Sequence, residues 1–361
     1  MDGNLTPLQF PVAVPPRPGE TLTIAPGVHW LRMPLPFALD HINLWLLEDG
    51  AGWTIVDTGY AMAQTKELWE QVFAERLGGL PVTRVIVTHY HPDHIGLADW
   101  LVQRWQTPLW VTEKEWLLAR VMSRGDEDFG PMRRSFAHRA GLDDTAAELF
   151  GERENSYRRG VPSVPASFQR LADGMAIEIG GREWRVIVGE GHAPELACLY
   201  CAKTGVLIAG DQVLPRISPN ISVQAHEPDG DPLARYLASL AELRDAVPPE
   251  TLTLPSHNLP FFGLHTRIDS LAAHHRARCG EVVAACGIPK SALDTVKVLF
   301  RRALDRHQMG FALGEALAHL NYLMHQGALD RELGADGVHR FIRASRPDSV
   351  QPGNDSLELG A

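Results

Sequence analysis

Short apolar runs broken by turn residues fill the first two-thirds of the chain, and the remainder is apolar at helical spacing. Runs bounded by Gly, Pro, Asp or Asn predict strands over Val28 to Met33, His41 to Glu48 and Trp53 to Val56, with Asp49-Gly50 turning between the last two. Leu68, Val72 and Phe73 share one side of a helix predicted over Ala63 to Leu77. Arg84 to Val87 reads as a short buried strand, Leu97 to Trp105 as a helix and Pro108 to Val111 as a strand. Strands resume at Phe168 to Leu171, Ala176 to Ile179 and Trp184 to Val188, followed by a hairpin of Leu196 to Cys201 and Gly205 to Ile208. Asp231-Pro232 places an N-cap before a proline at the first helical position and opens a helix to about Ala246. Thr251 to Leu254 is the last strand of this series. Beyond Phe262 come helices Arg267 to Cys286, a second capped by Ser291, and Phe311 to Gln326. The runs of Leu329 to Arg343 then flank a Gly-Ala-Asp-Gly turn.

This order divides the 361 residues, too many for one small core, into parts. Residues 1–27 read as a proline-rich extended lead-in and 28–262 as the main domain. A charged, helical insertion, 113–165, interrupts its strands. Residues 263–345 carry three helices and a two-stranded wing, and 346–361 form a polar tail expected to be disordered. Hydrophobic content of 45% and charged content of 22% are ordinary for a globular protein. A net charge of −10 opposes phosphate-backbone binding over the whole surface. No apolar run reaches the ~18 residues that span a bilayer, and the N-terminus lacks a secretory hydrophobic region. The expectation is a cytoplasmic protein with no membrane partner. Cys198 and Cys201, three apart on a strand, face opposite sides, and Cys279 and Cys286 fall at helical spacing among apolar neighbours, so all four read as structural thiols.

The polar residues that end the apolar runs change the picture. Val85-Ile86-Val87 leads into Thr-His-Tyr-His-Pro-Asp-His-Ile-Gly, which supplies His89, His91, Asp93 and His94. Three more runs end the same way: WRVIVGEGH in His192, GVLIAGD in Asp211 and TLTLPSH in His257. Each lies just past a strand end, where loops on one sheet edge converge. Five imidazoles and two carboxylates suit a pair of divalent metal ions, with Zn²⁺ the best match and Fe or Mn as alternatives.

These seven residues resemble, position by position, the HxHxDH…H…D…H signature of the metallo-β-lactamase superfamily, over about Val28 to Phe262. The resemblance implies an α/β fold, a four-layer αβ/βα sandwich with metals at the edge of two sheets. It places His89, His91 and His192 on a first metal, Asp93, His94 and His257 on a second, and Asp211 between them. Asp57-Thr58-Gly59 matches the family's DTG motif, in which Asp57 orients the histidine loop. A hydroxide shared by two metals is a nucleophile near neutral pH, because bound water falls from a pKa of ~16 towards 7. Asp93 is the candidate catalytic proton acceptor. Oxygen-reducing diiron members carry glutamate where this chain has His91, which favours hydrolysis. A mononuclear iron sulfur dioxygenase, which can keep the same histidines, stays as an alternative. Two departures are visible: Asn258 follows His257 where the family often has glycine, and Leu196 stands where many relatives have a further histidine.

Substrate contacts are sought among arginines, which pair bidentately with anions. The insertion is placed in the chain where a cap over the metals would be expected and offers Arg133 and Arg134, alongside Arg139, Arg153, Arg158 and Arg159. The loop leaving Asp211 offers Arg216 and Asn220. The C-terminal part resembles the winged-helix extension of some superfamily hydrolases, a mitochondrial endoribonuclease among them. Its third helix, as predicted, holds no lysine or arginine, unlike a nucleic-acid recognition helix. It is therefore expected to support packing or a homodimer rather than to bind nucleic acid. The sequence points to a dinuclear zinc hydrolase of a small ester-like molecule, an anionic thioester in the manner of glyoxalase II, or a lactone. A metal-dependent endoribonuclease is the alternative of a different class.

Overall fold

The structure, a computed structural model, describes residues 7–125, 129–152 and 156–345; the polar tail read from the sequence lies outside them. Its first sheet is built in chain order from β1 (Thr21–Ala25), β2 (Val28–Pro34), β3 (His41–Asp49) and β4 (Gly52–Val56). After α1 (Ala63–Glu75) come β5 (Val82–Ile86), the short α2 (Pro92–Ile95), α3 (Ala98–Trp105) and β6 (Leu109–Thr112). The insertion folds as α4 (Glu113–Arg124), α5 (Phe129–Arg139), α6 (Asp144–Gly151) and α7 (Ser156–Gly160), after which β7 (Gln169–Leu171) completes a sheet ordered β1 to β7. The second sheet takes β8 (Ala176–Ile179), β9 (Arg182–Gly189), β10 (Leu196–Cys201), β11 (Val206–Gly210), then α8 (Pro232–Ala246) and β12 (Leu252–Pro255). Its order is β12-β11-β10-β9-β8.

The two sheets face each other across one apolar layer. Alternate residues of the first sheet, Val28, Trp30, Trp45, Leu47, Val56 and Ile86, meet Ile177, Trp184, Val186, Leu199, Cys201, Ile208 and Leu254 of the second. Each fully buried side chain of this size contributes roughly 1.5–3 kcal/mol by leaving water. The opposite face of the first sheet is covered by α1, which buries Trp69, Val72 and Phe73, and by α3, which buries Leu101. Along the second sheet, Arg185 of β9 donates to the carbonyl of Ala246 at the end of α8, and the Tyr236 hydroxyl of α8 donates to the Gln212 carbonyl. This is the αβ/βα sandwich expected from the sequence. No helix among the described residues is long and apolar enough to cross a membrane.

Two readings of the chain are corrected. The lead-in before Gly27 is not merely extended: β1 pairs antiparallel with β2, Thr21 opposite Leu31 and Thr23 opposite His29. Its Thr-Leu-Thr-Ile run has strong strand propensity, and Gly27 makes the turn at φ 70°. The insertion, read as one cap, is divided. α4 and α7 belong to the compact unit built on the two sheets, whereas α5 and α6 belong to a second unit with residues 220–234 and 273–345.

α9 (Leu264–Ala285) starts in the first unit and enters the second at Ala273, where α10 (Ala292–Leu299) and α11 (Arg306–His325) follow, then the antiparallel β13 (Leu329–Leu333) and β14 (His339–Arg343). Ser291 and Asp305 cap α10 and α11, each with a reciprocal capping box. α11 starts at Arg306, earlier than predicted, because the Asp305 cap lies beyond the apolar stripe that signalled the helix. It therefore does contain an arginine. The Ala140 carbonyl after α5 accepts from Leu293 N of α10 (2.9 Å), and Asn321 of α11 donates to the carbonyls of Pro228 and Gly230.

Candidate metal centre

Strand directions bring the ligands to one edge. β4 and β5 run parallel, as do β11 and β12, and β9 and β11 both run antiparallel to β10. The C-terminal ends of β9, β11 and β12 therefore lie on the same side of their sheet. The turns leaving β5, β9, β11 and β12 carry all seven ligand candidates. Each turn starts from a hydrogen-bonded strand end, which fixes where its side chains can point.

The structure assembles them in two groups: His89, His91, His192 and Asp211; and Asp93, His94 and His257. Within each group the donor atoms lie within 4.8 Å of one another. Asp211 stands between the groups. Its Oδ2 is 3.4 Å from His192 Nε2 and 3.7 Å from His94 Nε2, and its Oδ1 is 3.4 Å from His257 Nε2. Asp93 Oδ2 lies 3.4 Å from His257 Nε2 and 3.7 Å from His94 Nε2. His94 Nε2 and Asp211 Oδ1 are buried and make no hydrogen bond. Such atoms are costly in a fold unless a further group satisfies them, and a cation does so for an imidazole lone pair and a carboxylate together. A nitrogen-rich set with two carboxylates is compatible with two divalent metals.

The backs of these ligands are held. Asp57, at φ 62°, accepts from Thr88 N at Oδ1 (2.8 Å) and from His94 Nδ1 at Oδ2 (2.8 Å), and its Oδ2 also takes the Thr88 hydroxyl (2.9 Å). A proton fixed on His94 Nδ1 leaves Nε2 as the acceptor atom facing Asp93 and Asp211. His257 Nδ1 donates to the His41 carbonyl (2.9 Å), and His41 Nε2 accepts from Asn258 N (3.0 Å) while its Nδ1 donates to Asp40 (2.6 Å). Asn258, standing where glycine was expected, has φ 71°, a conformation that asparagine tolerates better than most residues. Asn43 then ties the turn down by donating to the carbonyls of Pro255 and Asn258.

Burial and neighbouring charges set opposite pKa directions inside the cluster. Burial and the adjoining imidazoles hold His91 at about 3 and His89 well below its ordinary value. Burial also opposes charge on His94 and His257. At His94 the carboxylates of Asp57, Asp93 and Asp211 outweigh it and leave the imidazole well above the ordinary range, and at His257 those of Asp211 and Asp93 leave it at about 10. Burial raises the carboxyl pKa of Asp93, yet His94 and His257 outweigh it and bring it to about 2. The carboxylates thus favour positive charge at His94 and His257, where a metal ion would compete with the protons.

The other sequence-predicted candidates make contacts of their own. Arg216 is exposed, with its guanidinium 5.5 Å from the Phe10 ring. Asn220 donates to Glu315 (3.4 Å) and accepts from Ser222 (2.6 Å). Arg133 lies over the Phe129 ring, and Arg134 is paired with Glu148. Asn220, Arg133 and Arg134 belong to the second unit. Helix α7 supplies a different arginine. Its last residue, Gly160, packs so tightly that a Cβ there would lie 2.4 Å from the Tyr60 ring and 2.6 Å from Pro92 Cβ, within the histidine loop. The charges of neighbouring Arg159 and of Asp93 both act on the Tyr60 hydroxyl. Sequence reasoning also passed over His41, Asn43 and Glu115, because a polar residue in a strand or a first helical turn looks like solvated surface.

The chain belongs to the metallo-beta-lactamase superfamily: the family's model matches residues 38–257, and that of the metallo-beta-lactamase-like C-terminal domain matches residues 279–344. It is a metallo-hydrolase of that superfamily. A crystal structure of a beta-lactamase domain protein from Burkholderia ambifaria is 50% identical and superposes with a TM-score of 0.87, covering 93% of this chain and 98% of that one. A metallo-beta-lactamase family protein from Thermus thermophilus is 31% identical, with a TM-score of 0.74 over 89% of this chain and 100% of that one. The probable metallo-hydrolase YqjP of Bacillus subtilis (strain 168) is 26% identical over 310 residues, 83% of this chain and 92% of its own.

Proposed function

We propose that this metallo-hydrolase uses two zinc ions to cleave a small ester-like bond, in an anionic thioester, as glyoxalase II does, or in a lactone. The observation that carries the reading is Asp211 standing between two histidine groups at one sheet edge, within 3.4 Å of His192 and of His257. His89, His91 and His192 would hold one ion, Asp93, His94 and His257 the other, with Asp211 shared. When bound, such ions bring the pKa of water towards neutrality and polarise an acyl oxygen. The chain supplies the rest. Asp57 and His41 fix the imidazole tautomers through Nδ1. Asp93, with its carboxyl held at about 2, is ionised at neutral pH and can take a proton at Oδ2. No dedicated proton donor for a leaving group is identified in the cluster, which suits a thiolate, since it departs without strong protonation.

For the anionic part of the substrate, Arg159 is favoured over Arg216, Asn220, Arg133 and Arg134, because α7 packs against the histidine loop. Cytoplasmic residence and pairing of two copies through the second unit belong to the same proposal. The exposed Ile288 (62%) and Leu333 (62%) of that unit support the pairing. The test is metal-quantified protein offered a thioester, a lactone and RNA. About two zinc ions per chain and turnover of the thioester or lactone are expected. Arg159→Ala should raise KM for an anionic thioester more than it lowers kcat, and leave a neutral analogue unaffected. RNA cleavage with every ester ignored would transfer the chemistry to the nuclease class, and one iron per chain with oxygen uptake would make it a dioxygenase.

A further inference from the structure

The first turn of α4 grips two of the metal-bearing loops at once. Glu115 is wholly buried, and burial pushes its carboxyl up to about 7, so a charge there is expensive for the fold. Its Oε2 accepts from Tyr90 N at 2.8 Å and its Oε1 from Glu195 N at 2.6 Å. Tyr90 lies between His89 and His91, and Glu195 follows His192 by three positions. Both ends of the bridge are fixed a second time. The Tyr157 hydroxyl of α7 donates to the Tyr90 carbonyl (2.6 Å). Thr112 donates to the Glu195 carbonyl (2.8 Å), while Lys114 binds the Glu195 carboxylate through its backbone N (3.2 Å) and its Nζ (2.9 Å). In the other ligand group Asp57 holds His94 and His41 holds His257, while the Thr88 hydroxyl lies 3.2 Å from His94 Nδ1 and 3.0 Å from His89 Nδ1.

A carboxylate has two acceptor oxygens and no donor, which suits two N–H groups arriving from different loops. A glutamine of the same size would turn an NH₂ towards one of them. Ordinary packing does not ask for this, since an apolar side chain fills a buried position at lower desolvation cost. We propose that Glu115 is a positioning residue for the metal held by His89, His91 and His192: it sets the spacing between the histidine loop and the His192 loop without touching the ion. The inference rests on the two-metal reading above.

Full-length protein stripped of metal and reloaded with limiting zinc tests it, with occupancy at the two positions read by anomalous diffraction and affinities by chelator competition. Glu115→Gln should weaken zinc at the His89, His91 and His192 position by about 10–100-fold, while the position of Asp93, His94 and His257 stays within about threefold. Tyr157→Phe, which frees the Tyr90 carbonyl and leaves the carboxylate alone, should give a smaller loss at the same position. Equal losses at both positions, or none, in a folded Glu115→Gln protein would overturn the inference; if that variant does not fold, unchanged zinc binding by Tyr157→Phe does so. A wild-type protein that takes up only one ion sinks the two-metal reading instead, so the two failures are distinguishable.

Discussion

Buried histidines occur in both units of this molecule, and the two sets have opposite characters. In the second unit His275 of α9 and His319 of α11 are both fully buried, with His275 Nδ1 3.3 Å from His319 Nε2 and His319 Nδ1 donating to the Glu315 carbonyl. Burial and the neighbouring imidazoles hold His275 at about 3, and burial with His274 and Arg278 holds His319 at about 4. At the sheet edge His94 and His257 are just as buried, yet their pKa values are raised. The difference is the carboxylates: Asp57, Asp93 and Asp211 surround His94, whereas neighbouring imidazoles act on His275, and His274 and Arg278 on His319. Burial alone makes an imidazole a neutral filler. Burial beside carboxylates makes a place where positive charge is stable, and that distinguishes a cation site from a core pair.

The comparison breaks most visibly at Asp211. Because its oxygens face His94, His192 and His257, Asp211→Ala should strip metal from both groups and reduce hydrolysis by more than about 100-fold, as metal analysis and turnover would show. His257→Ala should weaken mainly the group of Asp93 and His94 and leave about one ion per chain. Equal loss of both ions in that variant would contradict the assignment. His319→Ala should leave metal content unchanged, and a fall would mean that the second unit contributes to the centre after all.

A smaller effect sharpens the role of the carboxylates. Asp57→Asn keeps the shape of the side chain but can present an amide proton donor to His94 Nδ1, where a proton already sits. The wrong tautomer, or a turned ring, should cost about 10–100-fold in affinity at the position of His94. Zinc titration with a competing chelator reads this directly. Unchanged affinity would reduce Asp57 to a support for Thr88.

Much of this centre was legible in the chain because its ligands end apolar runs. A histidine after Thr-Leu-Thr-Leu-Pro-Ser or an aspartate after Val-Leu-Ile-Ala-Gly is out of place unless something binds it, and strand ends gather in space. The sandwich was legible for the same reason, since its strands are short, apolar and bounded by turns. What the pattern could not show is which polar residues face inwards from surface-like segments. Glu115 stands in Glu-Lys-Glu-Trp, which reads as a solvated first turn, and His41 opens a strand. The division of the insertion was equally hidden: α5 and α6 leave the sheets' unit through packing against distant residues such as Leu293, which local composition does not encode. Arg133 and Arg134 stand out by charge and by their place in the insertion, and neither says which unit a helix joins.

The smallest expected effect concerns the pair without carboxylates, and it is a matter of stability rather than catalysis. An unfolded His275 takes a proton near its ordinary value of 6.5, whereas the folded one does so only at about 3. As pH falls below 6.5 the unfolded chain binds the proton first, so folding stability drops through the window from 6.5 to 3 and levels off below it. The slope can reach about 1.4 kcal/mol per pH unit, and relaxation around the pair lowers it. His275→Phe removes the titrating group while keeping an aromatic ring in place. Its stability between pH 7 and pH 4 should therefore fall less than that of the wild type, by about 1–2 kcal/mol, in denaturant titrations of metal-free protein. The phenylalanine's own packing cost enters at both pH values and cancels in the difference, as does the titration of the sheet-edge histidines. Equal acid sensitivity of the two proteins would mean that His275 is already protonated in the fold, and the contrast between the two histidine sets would then fail at its simpler end.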